Sequence, residues 1–222
     1  MIIKTFVTSI FEQNTRVVAC GETKRAVCID PGDSANVIAE YIKAHELSLQ
    51  AITLTHAHLD HIGGVFGLSK TFPQVEILLH KDDEPLYYAL AQQPLLMGFQ
   101  PHQLKELGLD YADPPQLTRN WTDGENYSVG NLNFKIYHTP GHSPGHVVFF
   151  EETERKVFSG DCLFAGSIGR TDLPGGDYET LMRSIKEKIL PLGDDVMVYT
   201  GHGADTTIKN EKTYNPFLTN SY

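Results

Sequence analysis

Cysteine is scarce in this chain: three in 222 residues, Cys20, Cys28 and Cys162, with no CxxC pair among them. An odd, widely spaced set supports neither a disulfide framework nor a zinc ribbon, so reduced and largely buried thiols are expected. Long apolar runs are missing as well, and nothing approaches the roughly 20 residues that a membrane-crossing helix needs. The opening segment Ile2 to Thr8 alternates like a strand and lacks the basic stretch and apolar core of an export signal, so a cytoplasmic location is expected. Basic charge is in the minority, with 18 Lys and Arg against 28 Asp and Glu and a net charge of −10. That balance argues against a nucleic-acid backbone as main partner, while bound cations could reverse the local field and admit a small anionic substrate.

A chain of this length suits one domain, expected to span residues 1–222. Runs rich in β-branched and aromatic residues at Ile2 to Thr8, Arg16 to Cys20 and Ala26 to Asp30 predict an opening antiparallel sheet. Asp30-Pro31-Gly32-Asp33-Ser34 is a turn and helix-start signal, and helical spacing of Val37, Ile38, Tyr41 and Ile42 predicts a helix from about Ala35 to His45. A short strand at Ala51 to Leu54 leads into a helix from about Ile62 to Lys70. Another strand at Ile77 to Leu79 precedes a helix near Asp82 to Leu90. Residues 92–120 lack clear periodicity and read as a loop with short helical pieces, a candidate lid. The second half repeats the theme with strands at Leu132 to His138, Val147 to Phe150, Lys156 to Ser159 and Val196 to Thr200, and a helix at Tyr178 to Leu190. Two runs from sheet into helix predict an α/β chain of two packed sheets with helices outside, a four-layer arrangement.

The densest chemistry lies in Thr55-His56-Ala57-His58-Leu59-Asp60-His61, where three imidazoles and a carboxylate follow an apolar strand and precede Gly63-Gly64. Neutral imidazole and carboxylate suit zinc, and also iron or manganese. Three further strand-to-loop junctions end in ligand-type residues beside glycine: Thr139-Pro140-Gly141-His142, Ser159-Gly160-Asp161 and Thr200-Gly201-His202-Gly203. Such glycines let backbone approach a crowded centre. Five imidazoles and two carboxylates are enough for two four-coordinate metals sharing a bridging carboxylate.

These motifs resemble the metallo-β-lactamase superfamily, which implies an αββα sandwich with metals at the sheet edge. The resemblance implies His56, His58 and His142 on one metal, Asp60, His61 and His202 on the other, and Asp161 bridging both. Typical zinc β-lactamases carry cysteine in the third block, where this chain has Gly160-Asp161. Within the superfamily the chain is similar to the glyoxalase II branch, in its shorter bacterial type. Three segments carry that likeness: Gly160-Asp161-Cys162-Leu163-Phe164 with Gly169-Arg170-Thr171-Asp172, then Gly201-His202-Gly203-Ala204-Asp205-Thr206-Thr207-Ile208, and Asn215-Pro216-Phe217-Leu218. It implies a metal-dependent thioester hydrolase acting on a small S-2-hydroxyacyl glutathione, with Asp60 orienting the nucleophile and Arg170 binding a substrate carboxylate. An exposed or ion-paired arginine is the competing reading of Arg170. His146 is implied to be a structural partner that donates hydrogen bonds near the site.

A mononuclear iron persulfide dioxygenase using His56, His142 and Asp161 resembles the same branch, and a hydrolase of another thioester or ester, or a metal-binding protein without turnover, are the other readings. No nucleic-acid or membrane partner is expected.

Overall fold

The computed structural model describes residues 1–219, which fall into two compact units. The first comprises Met1–Asn120 with Val129–Asn131, and the second Trp121–Ser128 with Leu132 onward.

In the first unit the β-branched runs form strands β1 (Ile2–Thr8), β2 (Gln13–Ala19), β3 (Arg25–Ile29), β4 (Ser48–Thr53) and β5 (Glu76–His80), and the sheet ends on β6 (Arg119–Trp121). The opening β1–β2–β3 meander is antiparallel, as its pattern predicts, whereas β3, β4 and β5 run parallel. Parallel strands place their carboxyl ends on one edge of the sheet, and Ile29 pairs with Thr53 there. The residues that follow, Asp30 and the His56 to His61 loop, are thereby brought to the same edge, where α/β sheets bind ligands. Helix α1 (Ala35–Ala44) matches its expected span and buries Ile38, Ala39 and Ile42 in a core shared with Ile52, Leu54, Leu59, Ile62 and Leu79.

The helix expected from Ile62 is two shorter ones, α2 (Leu59–Ile62) and α3 (Val65–Thr71), starting within the histidine cluster. The break falls at Gly63-Gly64. A side chain on Gly64 would strike the Pro31 and Gly32 carbonyls, so this junction needs glycine. A 3₁₀ turn at Lys81–Asp83 and helix α4 (Glu84–Tyr88) replace the helix expected at Asp82 to Leu90. The region after it carries helices α5 (Gln93–Leu96) and α6 (Pro101–Leu104).

The second unit holds strands β7 (Asn126–Val129), β8 (Leu132–His138), β9 (Val147–Glu151) and β10 (Lys156–Gly160), then a small ribbon of β11 (Leu163–Phe164) and β12 (Ser167–Ile168). Strands β13 (Met197–Thr200) and β14 (Thr206–Thr207) complete a six-stranded sheet in the order β14-β13-β10-β9-β8-β7. Strands β10 and β13 are parallel, with Gly160 paired to Thr200, so Asp161 and His202 leave the same edge. The helix expected over Tyr178 to Leu190 holds α-geometry only in α7 (Tyr178–Ser184). It widens to a π-turn at Ile185–Ile189 and tightens to a 3₁₀ turn at Leu190–Leu192. Pro191 has no N–H and its ring clashes with the carbonyl four residues back, which explains the loss of the α-ladder. Helices α8 (Ile208–Tyr214) and α9 (Pro216–Thr219) follow. Among the described residues no helix is long and apolar enough to cross a membrane.

Candidate metal centre

In the first unit the buried carboxylate of Asp30 organises the histidine loop. Its Oδ1 accepts the Thr55 N–H at 2.7 Å, and its Oδ2 accepts the Thr55 hydroxyl at 2.6 Å and faces His61 Nδ1 at 3.0 Å. Each contact fixes a proton. A carboxylate only accepts, so His61 carries its proton on Nδ1 and its lone pair on Nε2. The Thr55 hydroxyl has one proton, given to Asp30, so His56 Nδ1 at 3.0 Å must be the donor to Thr55 Oγ1. His56 therefore also presents its lone pair on Nε2. The His56 ring lies 4.8 Å from that of His58 and 4.0 Å from that of His61, centroid to centroid. Asp60 Oδ2 stands 3.7 Å from His61 Nε2.

In the second unit the same tautomer is imposed by main chain. His142 Nδ1 lies 2.8 Å from the Arg170 carbonyl oxygen, which can only accept, so Nε2 keeps the lone pair. Asp161 Oδ2 stands 3.5 Å from His142 Nε2 and 3.6 Å from His202 Nε2. Gly201 is required here, because a Cβ would run into the Asp161 carboxylate and the Gly160 backbone. Thr200 donates its hydroxyl to the His202 carbonyl at 2.9 Å, and Asp205 accepts the Thr200 N–H at 3.2 Å, closing the His202 loop.

These distances suit a divalent ion. Two ligand atoms about 2.0–2.2 Å from an ion and spread at the tetrahedral angle stand about 3.3–3.6 Å apart. The Asp161 pairs fall in that range, and the Asp60–His61 pair is close to it. Neutral imidazoles with outward Nε2 lone pairs, together with carboxylate oxygens, form the donor set that divalent zinc, iron or manganese takes.

Of the residues singled out from sequence, the first unit thus gathers His56, His58, Asp60 and His61, and the second gathers His142, Asp161 and His202. Arg170 is exposed, and its guanidinium already makes a two-pronged pair with Asp172, Nε to Oδ1 and Nη2 to Oδ2 at 2.7 Å each. That contact draws the Asp172 carboxyl down to about 2. His146 is a hydrogen-bonding partner beside Asp161, and it accepts as well as donates. Its Nε2 accepts the Asp161 N–H at 3.1 Å, which leaves Nδ1–H to face the Thr139 hydroxyl at 2.9 Å. Cys162 is buried among apolar side chains, and burial pushes its thiol up to about 12, consistent with an inert packing residue. Tyr199, half-buried, stacks on the buried Phe158 with centroids 5.1 Å apart.

Sequence reasoning passed over Asp83 and Gln93, both buried against the histidine loop. In the sequence Asp83 reads as part of an acidic helix start, and Gln93 is a polar residue in a segment without clear periodicity.

The sequence model of the metallo-beta-lactamase superfamily matches residues 11–202. A hydroxyacylglutathione hydrolase, GloC, of Haemophilus influenzae is 41% identical over 221 residues, 98% of each chain. The crystal structure of BLEG-1 B3 metallo-beta-lactamase is 37% identical with a TM-score of 0.86, covering 98% of this chain and 100% of that one. The crystal structure of TTHA1623 in a di-iron-bound form is also 37% identical, with a TM-score of 0.83 and coverage of 97% and 100%.

Proposed function

The chain belongs to the metallo-β-lactamase superfamily and has its fold, and from that premise we propose that it is a two-metal thioester hydrolase of the glyoxalase II type. It is an enzyme of the metallo-hydrolase kind. The proposed substrate is a small S-2-hydroxyacyl glutathione such as S-lactoylglutathione, and the proposed ligands are His56, His58 and His142 for one ion, Asp60, His61 and His202 for the other, and Asp161 for both. The single observation that carries this reading is the fixed tautomer of His56, His61 and His142, each leaving Nε2 as a lone pair, with Asp161 Oδ2 3.5 Å from His142 Nε2.

Divalent ions bound by these residues would lower the pKa of a shared water towards neutrality and polarise a thioester carbonyl. The residues' own work is orientation. Asp30, through Thr55 and directly, holds His56 and His61 with their donor atoms outward. Asp60 offers a carboxylate acceptor beside His61, able to align the proton of an attacking water. Arg170 supplies a fork of donors for a substrate carboxylate after exchange with Asp172. A thiolate departs readily, because thiols have a pKa near 8.5, so no dedicated proton donor is required. The proposed metal is zinc, with iron or manganese suited by the same donors.

Purified protein should hydrolyse S-lactoylglutathione, followed by loss of the thioester absorbance. Nitrocefin, a β-lactam, and glutathione persulfide with an oxygen electrode serve as the competing substrates. Thioester cleavage far above the other two supports the proposal. Oxygen consumption with persulfide and no thioester cleavage would overturn it.

A further inference from the structure

The two peptide planes flanking His58 are held from outside their own loop. Gln93 holds both of them, while Asp83 Oδ2 accepts the Ala57 N–H at 3.0 Å and so holds the plane one step earlier, between His56 and Ala57. The Gln93 side chain accepts the Leu59 N–H through Oε1 at 2.9 Å and donates from Nε2 to the Ala57 carbonyl at 2.8 Å, with a further bond to the Leu86 carbonyl at 2.9 Å. The His58 carbonyl in turn accepts the His61 and Ile62 N–H groups at 2.9 and 3.2 Å. Asp83 is 1% exposed and Gln93 4%, so neither side chain is at the surface and water has little access to compete for these bonds. The direction of a Cα–Cβ bond is set by the two peptide planes that meet at that Cα. Fixing both planes aims the imidazole before any rotation of its side chain.

We propose that Gln93, seconded by Asp83, is a positioning residue that aims His58, making the 81–97 segment part of the frame of the metal centre. This rests on the assignment of His58 as a metal ligand. The mechanism differs from that at His56 and His61, whose rings are held through Nδ1 by Thr55 and Asp30. A primary amide is needed at position 93 because it must both accept from Leu59 and donate to two carbonyls. Glutamate at the same length keeps the acceptor and turns a carboxylate oxygen toward the Ala57 and Leu86 carbonyls.

The test uses the full chain and its Gln93→Ala and Gln93→Glu variants, with Gln100→Ala on the exposed part of the same region as control. Chelator competition gives the affinity of each ion, and cobalt loading gives a visible spectrum sensitive to ligand geometry. Expected is a loss of about 10- to 100-fold in affinity for one of two ions and altered cobalt bands in both Gln93 variants, as for other residues that orient ligands. Gln100→Ala should match the unaltered protein. If Gln93→Ala does not fold, Gln93→Glu decides by its cobalt bands. Unchanged affinities and unchanged cobalt bands in the folded Gln93 variants would overturn the inference while leaving the hydrolase reading intact. Failure of the unaltered protein to bind ions at all would overturn both.

Discussion

The two units carry their candidate ligand residues in different styles. The first packs four into six consecutive residues, His56 to His61, and steadies them with side chains brought from elsewhere: Asp30, Thr55, Asp83 and Gln93. The second spreads three over residues 142–202 and steadies them with a mixture: the Arg170 main-chain carbonyl on His142, the His146 and Asp205 side chains accepting the Asp161 and Thr200 N–H groups, and a glycine at 201 that leaves room for the Asp161 carboxylate. A compact loop has too few backbone groups of its own to orient four side chains, so it recruits buried carboxylate and amide groups. Candidate ligands at separate strand ends are already positioned by parallel pairing, as in Gly160 with Thr200, and need only one or two further bonds each. The first style depends on a few buried polar side chains, and the second more on glycine and chain path.

The largest effect should come from Asp161→Ala. It removes the carboxylate assigned to both ions, so metal analysis should find both lost or strongly depleted and thioester hydrolysis at background. Full hydrolysis by this variant would refute the bridging assignment. Next is Asp30→Ala, which strands the Thr55 N–H and His61 Nδ1–H in a buried place. Stability should fall by about 2–4 kcal/mol in denaturant unfolding, with metal affinity lower by about 10- to 100-fold. If Asp30→Ala proves as stable and as tightly metallated as the parent, the side-chain style of support is wrong for the first unit.

Gly201→Ala probes the second style. An added methyl must displace the Asp161 carboxylate or the Gly160 backbone, and should cost about 1–3 kcal/mol together with metal affinity. The smallest expected effect is that of Asp172→Asn, which frees Arg170 for a substrate carboxylate and should lower KM a few-fold with kcat little changed. The pH dependence follows from sign. Arg170 holds the Asp172 carboxyl down at about 2, so the pair is fully formed above the ordinary carboxylate range and is lost only as pH falls through about 2. The KM difference should therefore be flat between about pH 5 and 8. A difference that vanished within that window would assign it to another group.

Much of this was legible in the sequence. The seven candidate ligand residues stand out because imidazole and carboxylate cluster at the ends of apolar runs and beside glycine, and those runs are strands β4, β8, β10 and β13, extended by a few residues. Less legible was how the ligands are held. From sequence Asp30 reads equally as a turn cap or as a support behind the candidate ligands, and the choice depends on β3 lying beside β4, which is a long-range pairing. Asp83 reads as part of an acidic helix start and Gln93 sits in a region without periodicity, and in neither place does a polar side chain carry a sign that it turns inward to backbone groups. The broken helices had local causes, Gly63-Gly64 and Pro191, that the apolar spacing outweighed. Two-residue strands such as β11, β12 and β14 are too short to produce a pattern.

The most direct measurement is the number of divalent ions per chain in protein that hydrolyses S-lactoylglutathione, followed as metal is added back to the chelated chain. The account predicts two ions per chain at full activity, with hydrolysis rising until the second is bound. Full hydrolytic activity with a single ion, or one iron per chain accompanied by oxygen uptake on a persulfide, would contradict it.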